Sequence, residues 1–176
     1  MTGSIVLHAL RCIDLAVAGW VTRSLGECGA WGLTEAGRAE DARRTVRQLE
    51  AAGTRDALTA AYRRFMVLNP ELLELCSAWQ LRTVDGAMAP NDRSDPVYDA
   101  RVLNRFADLD GRAGAVAADL SAALPRFGRY RVRLTAALDR ARSGALEHLT
   151  DSTTSYHTVW FQLHEDLLAT LGIPRR

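Results

Sequence analysis

Lysine is absent from this chain of 176 residues: all 22 basic side chains are arginine, and 21 acidic ones offset them to leave the net charge near zero. That balance removes the broad electrostatic argument for nucleic acid, a strongly basic domain. It also gives no general attraction to an anionic membrane surface, so any binding of phosphate must be local. Arginine does suit bidentate contacts with carboxylate or phosphate. Cysteine is scarce as well. Cys12, Cys28 and Cys76 are odd in number, form no CxxC and have no histidine nearby at zinc-ligand spacing. They read as reduced thiols of a cytoplasmic protein, with no metal site and no cofactor expected. The apolar stretch near the start, "MTGSIVLHALRCIDLAVAGW", is broken by Arg11 and Asp14 and lacks a basic leading region. It is too short to span a bilayer, and without a basic leading region it does not read as an export signal. Standard catalytic signatures are missing too: GxSxG, HExxH, a P-loop and GxGxxG between strand and helix do not occur.

What is present is mostly helical periodicity. Ser4 is a candidate N-cap and Gly19 a candidate C-terminal stop for a first helix, with Ile5, Ala9, Ile13 and Ala16 among its apolar positions. The period then changes. "WVTRS" and "AWGLT" are β-favouring runs separated by "LGECG", which predicts a hairpin. Thr34 is placed to cap a long helix, "EAGRAEDARRTVRQLEAAG", ending at Gly53. From Thr54 onward the reading is helical. "RDALTAAYRRFMVLN" is expected to stop at Asn69, and Pro70 to open the next helix in its favoured first-turn position. Arg82–Ser94 reads as the longest loop, and Asp95 before Pro96 restarts a helix carrying Tyr98, Val102, Phe106 and Leu109 on one side. Pro125 opens a segment with Phe127, Tyr130, Leu134 and Leu138 inward, and "SYHTVWFQLHEDLLATLG" closes the chain. The fold class expected is mainly α: a truncated winged-helix segment with one β-hairpin over residues 1–34, then an all-α domain over residues 35–176.

The first part of that description comes from a resemblance. "LHALRCIDLAVAGWVTRSLGECGAWGLTEAGRAEDARR" resembles the second half of a winged helix-turn-helix domain of MarR/PadR-type transcription regulators. In those proteins a recognition helix runs into "AGWV", a hairpin wing follows, and "LT.AGR" leads into a dimerisation helix. The matching residues are Ala18, Gly19, Trp20 and Val21, the wing at residues 22–31, and Leu33, Thr34, Ala36, Gly37 and Arg38. The remainder resembles the helical tail of actinobacterial proteins of regulator type. This implies a homodimer, to which "EDARRTVRQLEAAG" contributes; the helical domain is expected, as a separate reading, to hold a small organic ligand. DNA contacts would fall to Arg11 and Arg23. A winged helix has two helices ahead of the recognition helix, whereas three residues precede Ser4 here; Asp14 is acidic on the outward face, and Glu27 opposes Arg23. Sequence readout wants arginines or amides that reach base edges, so DNA binding is expected to be impaired or absent.

The chemically densest stretch is residues 155–166, "SYHTVWFQLHED". On a helix, Tyr156, Val159, Trp160, Leu163, Leu167 and Leu168 form an apolar stripe with His157 and His164 along one rim. The histidines are separated by roughly 10 Å along the axis at ~1.5 Å per residue, too far to share a metal as a pair. They read either as half-buried residues bonded to a neighbouring helix or as polar groups at the edge of a ligand pocket, whose walls are mostly apolar with a few placed polar groups. On the second reading Trp79, Tyr98, Tyr156 and Trp160 join them in binding. In an enzyme built on this scaffold, His157, His164 and Asp99 would carry acid–base chemistry on a small organic substrate. Phe161 is expected in the core, and Glu165 and Asp166 in solvent. Arg126, Arg129, Arg133 and Arg140 read as a solvated stripe with ion pairs, each worth ~0–1 kcal/mol.

Overall fold

A computed structural model of the chain describes residues 12–23, 31–84 and 86–174. Ser4, His8, Arg11, Glu27 and Cys28 lie outside them. The chain divides into two compact units, Met1–Ala51 and Ala52–Arg176. The first unit runs to the end of a helix, and the contacts at that helix's start show what ties it to the residues before it.

In that unit residues 12–17 are helical (α1), and Gly19, at φ +73°, ends the helix in the left-handed conformation that glycine adopts without steric cost. Strands β1 (Val21–Arg23) and β2 (Trp31–Leu33) pair antiparallel, Thr22 opposite Gly32. Helix α2 (Glu35–Ala52) begins at a polar knot that ties it to what precedes it. The Thr34 hydroxyl donates to the Gly19 carbonyl at 2.6 Å and accepts from the Gly37 N–H at 3.0 Å, the N-cap bond anticipated for this threonine. The Thr34 N–H donates to the Trp20 carbonyl, and Arg38 donates to the Leu33 carbonyl. Gly37 is required by space: a Cβ there would stand 1.8 Å from the Trp20 oxygen, against backbone rather than a movable side chain. The "AGW" and "LTEAG" pieces are therefore two sides of one contact. Gly37→Ala is expected to cost this unit about 1–3 kcal/mol, the usual range for overpacking. Hydrogen exchange should rise through residues 31–45 and stay unchanged through residues 96–123; unchanged protection at both would rule out the close approach.

The second unit is built on α3 (Arg55–Gln80) and α4 (Pro96–Ala123). Leu58, Ala61, Phe65, Leu68, Leu72, Leu75 and Trp79 are buried at alternating steps of three and four, and Val102, Phe106, Leu109, Ala113, Val116, Leu120 and Ala123 repeat the pattern on α4. Two such stripes pack as an antiparallel pair. Ion pairs Arg64–Asp119 and Glu71–Arg112 confirm the direction, since a later residue on α3 meets an earlier one on α4. The stop expected at Asn69 does not occur: α3 runs through Pro70. An interior proline costs about 3 kcal/mol, but the buried stripe crosses Pro70 without losing phase, and burying both halves of it outweighs one lost hydrogen bond.

A second correction concerns the loop expected at Arg82–Ser94. Leu81–Val84 (β3) and Ala87–Pro90 (β4) form an antiparallel hairpin, with Leu81 opposite Pro90 and Gly86 at φ +82° in its turn. The helical unit is thus not all-α, although the chain as a whole is mainly α. Asp95 caps α4 through Val97 and Tyr98. A 3-10 turn (Pro125–Phe127) leads into α5 (Gly128–Arg142), with Phe127, Tyr130, Leu134 and Leu138 buried as anticipated; a second such turn (Leu146–His148) precedes α6 (Tyr156–Leu171). Among the described residues no helix is long and apolar enough to cross a membrane.

Candidate functional site

Helix α6 is started by Ser155, whose hydroxyl accepts from the Thr158 N–H, and is stopped by Gly172 at φ +69°. Between these caps its inward face carries two kinds of chemistry. Tyr156 is fully buried and donates to the Asp110 carboxylate at 3.1 Å; Asp110 also accepts both terminal guanidinium nitrogens of Arg131, at 2.7 and 2.9 Å. Burial, followed by the Asp110 charge, holds the Tyr156 hydroxyl well above its ordinary range. This is a closed structural network, and Tyr156 lines neither of the cavities described below.

One turn on, the Trp160 N–H donates to Asn69 Oδ1 at 3.0 Å, and its ring stacks on Phe65 with centroids 4.5 Å apart. That bond fixes the Asn69 amide, because only the oxygen accepts. Beside it lies a cavity of about 210 Å³ lined by Asn69, Leu72, Leu73, His157, Trp160, Phe161 and His164. A second, of about 530 Å³, is lined by Tyr62, Met66, Phe161, His164, Glu165, Leu168, Ile173 and Pro174. Phe161 and His164 belong to both, so the two form one groove between α3 and α6. The groove has a sequence periodicity of its own: Tyr62, Met66, Asn69 and Leu73 on α3, and His157, Phe161, His164 and Leu168 on α6, are again spaced by threes and fours. Each helix therefore has one apolar stripe in the core and a second, mixed stripe along the groove.

Both histidines are half-buried, and among the described residues neither imidazole has a hydrogen-bond partner. His164 instead lies against Tyr62, centroids 6.2 Å apart with the ring planes at 25°, and against Phe65 at 5.6 Å. Phe161, expected in the core, is 48% exposed and forms the saddle between the cavities. Glu165 is half-buried at the larger cavity. Asp166 turns the other way, where Arg126, Arg129 and the Tyr130 hydroxyl converge on it. Arg133 donates to Gln162 at 2.6 Å, so three arginines of the stripe, Arg126, Arg129 and Arg133, hold α6.

Trp79, Tyr98 and Asp99 stand elsewhere, around the base of the second hairpin. Asp99 accepts from the Asn91 amide at 2.7 Å and from Arg93 at 3.2 Å, and the Arg93 guanidinium lies 3.7 Å from the centre of the Trp79 ring. Trp79 is buried, and among the described residues its N–H has no hydrogen-bond partner, while the Tyr98 hydroxyl donates to the carbonyls of Ala78 and Leu81. These side chains pin the hairpin to α3 and α4 and line neither cavity. The Cys76 thiol is buried, and desolvation pushes it up to about 12, which removes it as a nucleophile. Among the described residues no group of three or more histidine, cysteine or acidic side chains is placed to hold a metal. Arg23 sits exposed on β1.

Of the groove residues that the sequence reading passed over, Tyr62, Met66, Asn69, Leu72 and Leu73 come from α3, and Ile173 and Pro174 from the segment after α6. The stripe at 62, 66, 69 and 73 signals those on α3 once that helix is read as continuous through Pro70. No protein-family model, curated protein or solved structure matches the chain.

Proposed function

We propose that the chain is a transcription-regulator-like protein whose helical unit binds a small organic molecule in the groove between α3 and α6. The observation that carries this reading is the pair of cavities joined at Phe161 and His164. Their volumes, about 530 and 210 Å³, lie in or near the range of roughly 300–1,000 Å³ typical of small-molecule sites. Their walls are mainly apolar, and the polar side chains among them, Tyr62, Asn69, His157, His164 and Glu165, include two imidazoles with no hydrogen-bond partner among the described residues. In this reading the N-terminal unit derives from a winged helix, and its order of helix, hairpin, helix, with Thr34 and Gly37 at the junction, supports that origin. DNA binding is weak or absent, since Asp14 is exposed on α1. The protein acts as a homodimer in the cytoplasm. The alternative, an enzyme using His157 and His164 with Asp99, has less support because Asp99 is taken up by Asn91 and Arg93 away from the groove.

The test uses N-phenyl-1-naphthylamine, an uncharged aromatic molecule that fluoresces on entering apolar sites. It is expected to bind the full chain saturably, and Phe161→Ala is expected to weaken binding by about tenfold, equivalent to about 1.4 kcal/mol, with the circular dichroism spectrum unchanged. Absence of saturable binding, or equal binding by the variant, removes the groove as a ligand site.

A further inference from the structure

Resting on that reading of the groove, we infer that Asn69 selects the ligand by its acceptor: the occupant places a carbonyl oxygen, as in a ketone, lactone or amide, in the narrower cavity, where the Asn69 amide donates to it. The polarity of Asn69 is fixed by the residue it is tied to. The Trp160 indole N–H can only donate, and it donates to Asn69 Oδ1 at 3.0 Å. Trp160 is 2% exposed, so no water replaces that acceptor if the amide turns over. A flip would set the NH2 group against the indole N–H, two donors facing each other, and leave a buried donor unpaired. The NH2 group is therefore what Asn69 has left to offer, and among the described residues it has no protein acceptor. Asn69 is half-buried and lines the narrower cavity, so a ligand there meets that donor.

The other polar groups of that cavity do not compete with this choice. A neutral imidazole has one donor and one acceptor nitrogen and exchanges them by tautomer, so His157 and His164 adapt to a ligand while Asn69 does not. The Trp160 N–H is already given to Asn69, and Leu72 and Leu73 bring only carbon. A carbonyl oxygen has two lone pairs: one takes the Asn69 N–H, and the other is open to an imidazole N–H. A ligand group that can only donate meets a donor instead. Size sets the orientation. At about 210 Å³ the narrower cavity holds one end of a ligand, and through His164 it joins the larger one of about 530 Å³, where Met66, Leu168, Ile173 and Pro174 suit an apolar body. A ligand of the same shape without the oxygen displaces water from the amide and returns nothing to it, which is how a hydrogen-bonding site rejects the analogue that lacks its partner.

Two fluorescent probes of one skeleton test the assignment by titration of the full chain: 6-propionyl-2-(dimethylamino)naphthalene, a ketone, and its 6-propyl analogue, in which the carbonyl is a methylene group. The ketone is expected to bind at least as tightly as the analogue, although water holds it more strongly. Asn69→Asp keeps an oxygen for the Trp160 N–H and turns the donor into an acceptor, provided the titration is done at about pH 8, well above the ordinary aspartate pKa of about 3.9. That substitution is expected to shift the ratio of the two dissociation constants against the ketone by about tenfold. A ratio unchanged by Asn69→Asp overturns the role of Asn69. On the parent chain, where no substitution disturbs the fold, an analogue that binds more tightly than the ketone overturns it as well. In both of these cases the probes still bind and the groove stands as a site. Absence of saturable binding by either probe removes the groove itself, and this inference with it.

Discussion

Asp110→Ala is expected to destabilise the helical unit by about 3 kcal/mol, near the low end of the 3–5 kcal/mol seen when one partner of a buried charge pair is removed. Asp110 is 7% exposed and gathers three hydrogen bonds, two from Arg131 and one from Tyr156. Its removal strands the Tyr156 hydroxyl in the core, where an unsatisfied donor costs about 1–3 kcal/mol. It also leaves the Arg131 guanidinium without its anion. The Arg131 side chain is 35% exposed, so water recovers part of that loss, which is why the low end applies. Urea unfolding followed by circular dichroism measures the effect. Asp110→Asn should cost less, because an amide oxygen still accepts from one partner. Tyr156→Phe should remove about 1 kcal/mol, and the double variant should be less destabilised than the sum, as expected for residues sharing one network. A loss for Asp110→Ala below about 1 kcal/mol, the scale of an exposed pair, would show that the network is not a core element. The same network has an alkaline signature. Tyr156 keeps its proton in the fold to higher pH than an unfolded tyrosine, which ionises near 10. The native state therefore binds more protons than the unfolded state above that pH, and stability must fall as pH rises through it.

Trp160→Ala is the second large effect, about 3–5 kcal/mol, the range for deleting a buried aromatic side chain. The indole stacks on Phe65, lies near Tyr156 and holds Asn69, so its loss opens a void where α6 crosses α3 and frees the Asn69 amide. His157→Ala and His164→Ala should by contrast stay within about 0.5 kcal/mol of the parent, as for surface positions, because each side chain is half-buried at the groove and neither imidazole holds a hydrogen bond among the described residues. The same histidine variants should weaken binding of N-phenyl-1-naphthylamine. Thermal and urea unfolding of the three variants side by side decide the matter. Histidine losses as large as that of Trp160→Ala would make the imidazoles core residues and take the ligand reading with them.

Much of the fold was legible in the residues themselves because it depends on neighbours within one turn. Thr34 ahead of the polar helix α2 and Gly53 after it, Gly172 after the apolar α6, and Asp95 before Pro96 mark ends through local backbone geometry and hydrogen bonds that form whatever the rest of the chain does. The inward positions of α5 and α6 followed from helical period alone. The hairpin at 81–90 was legible in principle: Asp85-Gly86 between Val84 and Ala87 is a strong turn pair. The surrounding proline, asparagine and aspartate residues read more readily as loop.

What the amino-acid order determined by itself is therefore which faces exist: a mainly α chain with a hairpin near its start, two heptad-like stripes on α3 and α4, and a final helix with an apolar side and a histidine rim. Which face meets which was decided only by the tertiary structure. Asn69 and Trp160 are 91 residues apart and meet because α3 continues past Pro70, and that continuation is favoured only once both halves of its stripe are buried. The same packing gathers Trp79, Tyr98 and Asp99 at the hairpin base, away from His157 and His164, although all five carry the residue types a ligand site uses. Residue type and spacing fix the direction of a side chain relative to its own helix axis. The rotation and crossing of the helices, set by the burial of their larger stripes, determine what that side chain faces.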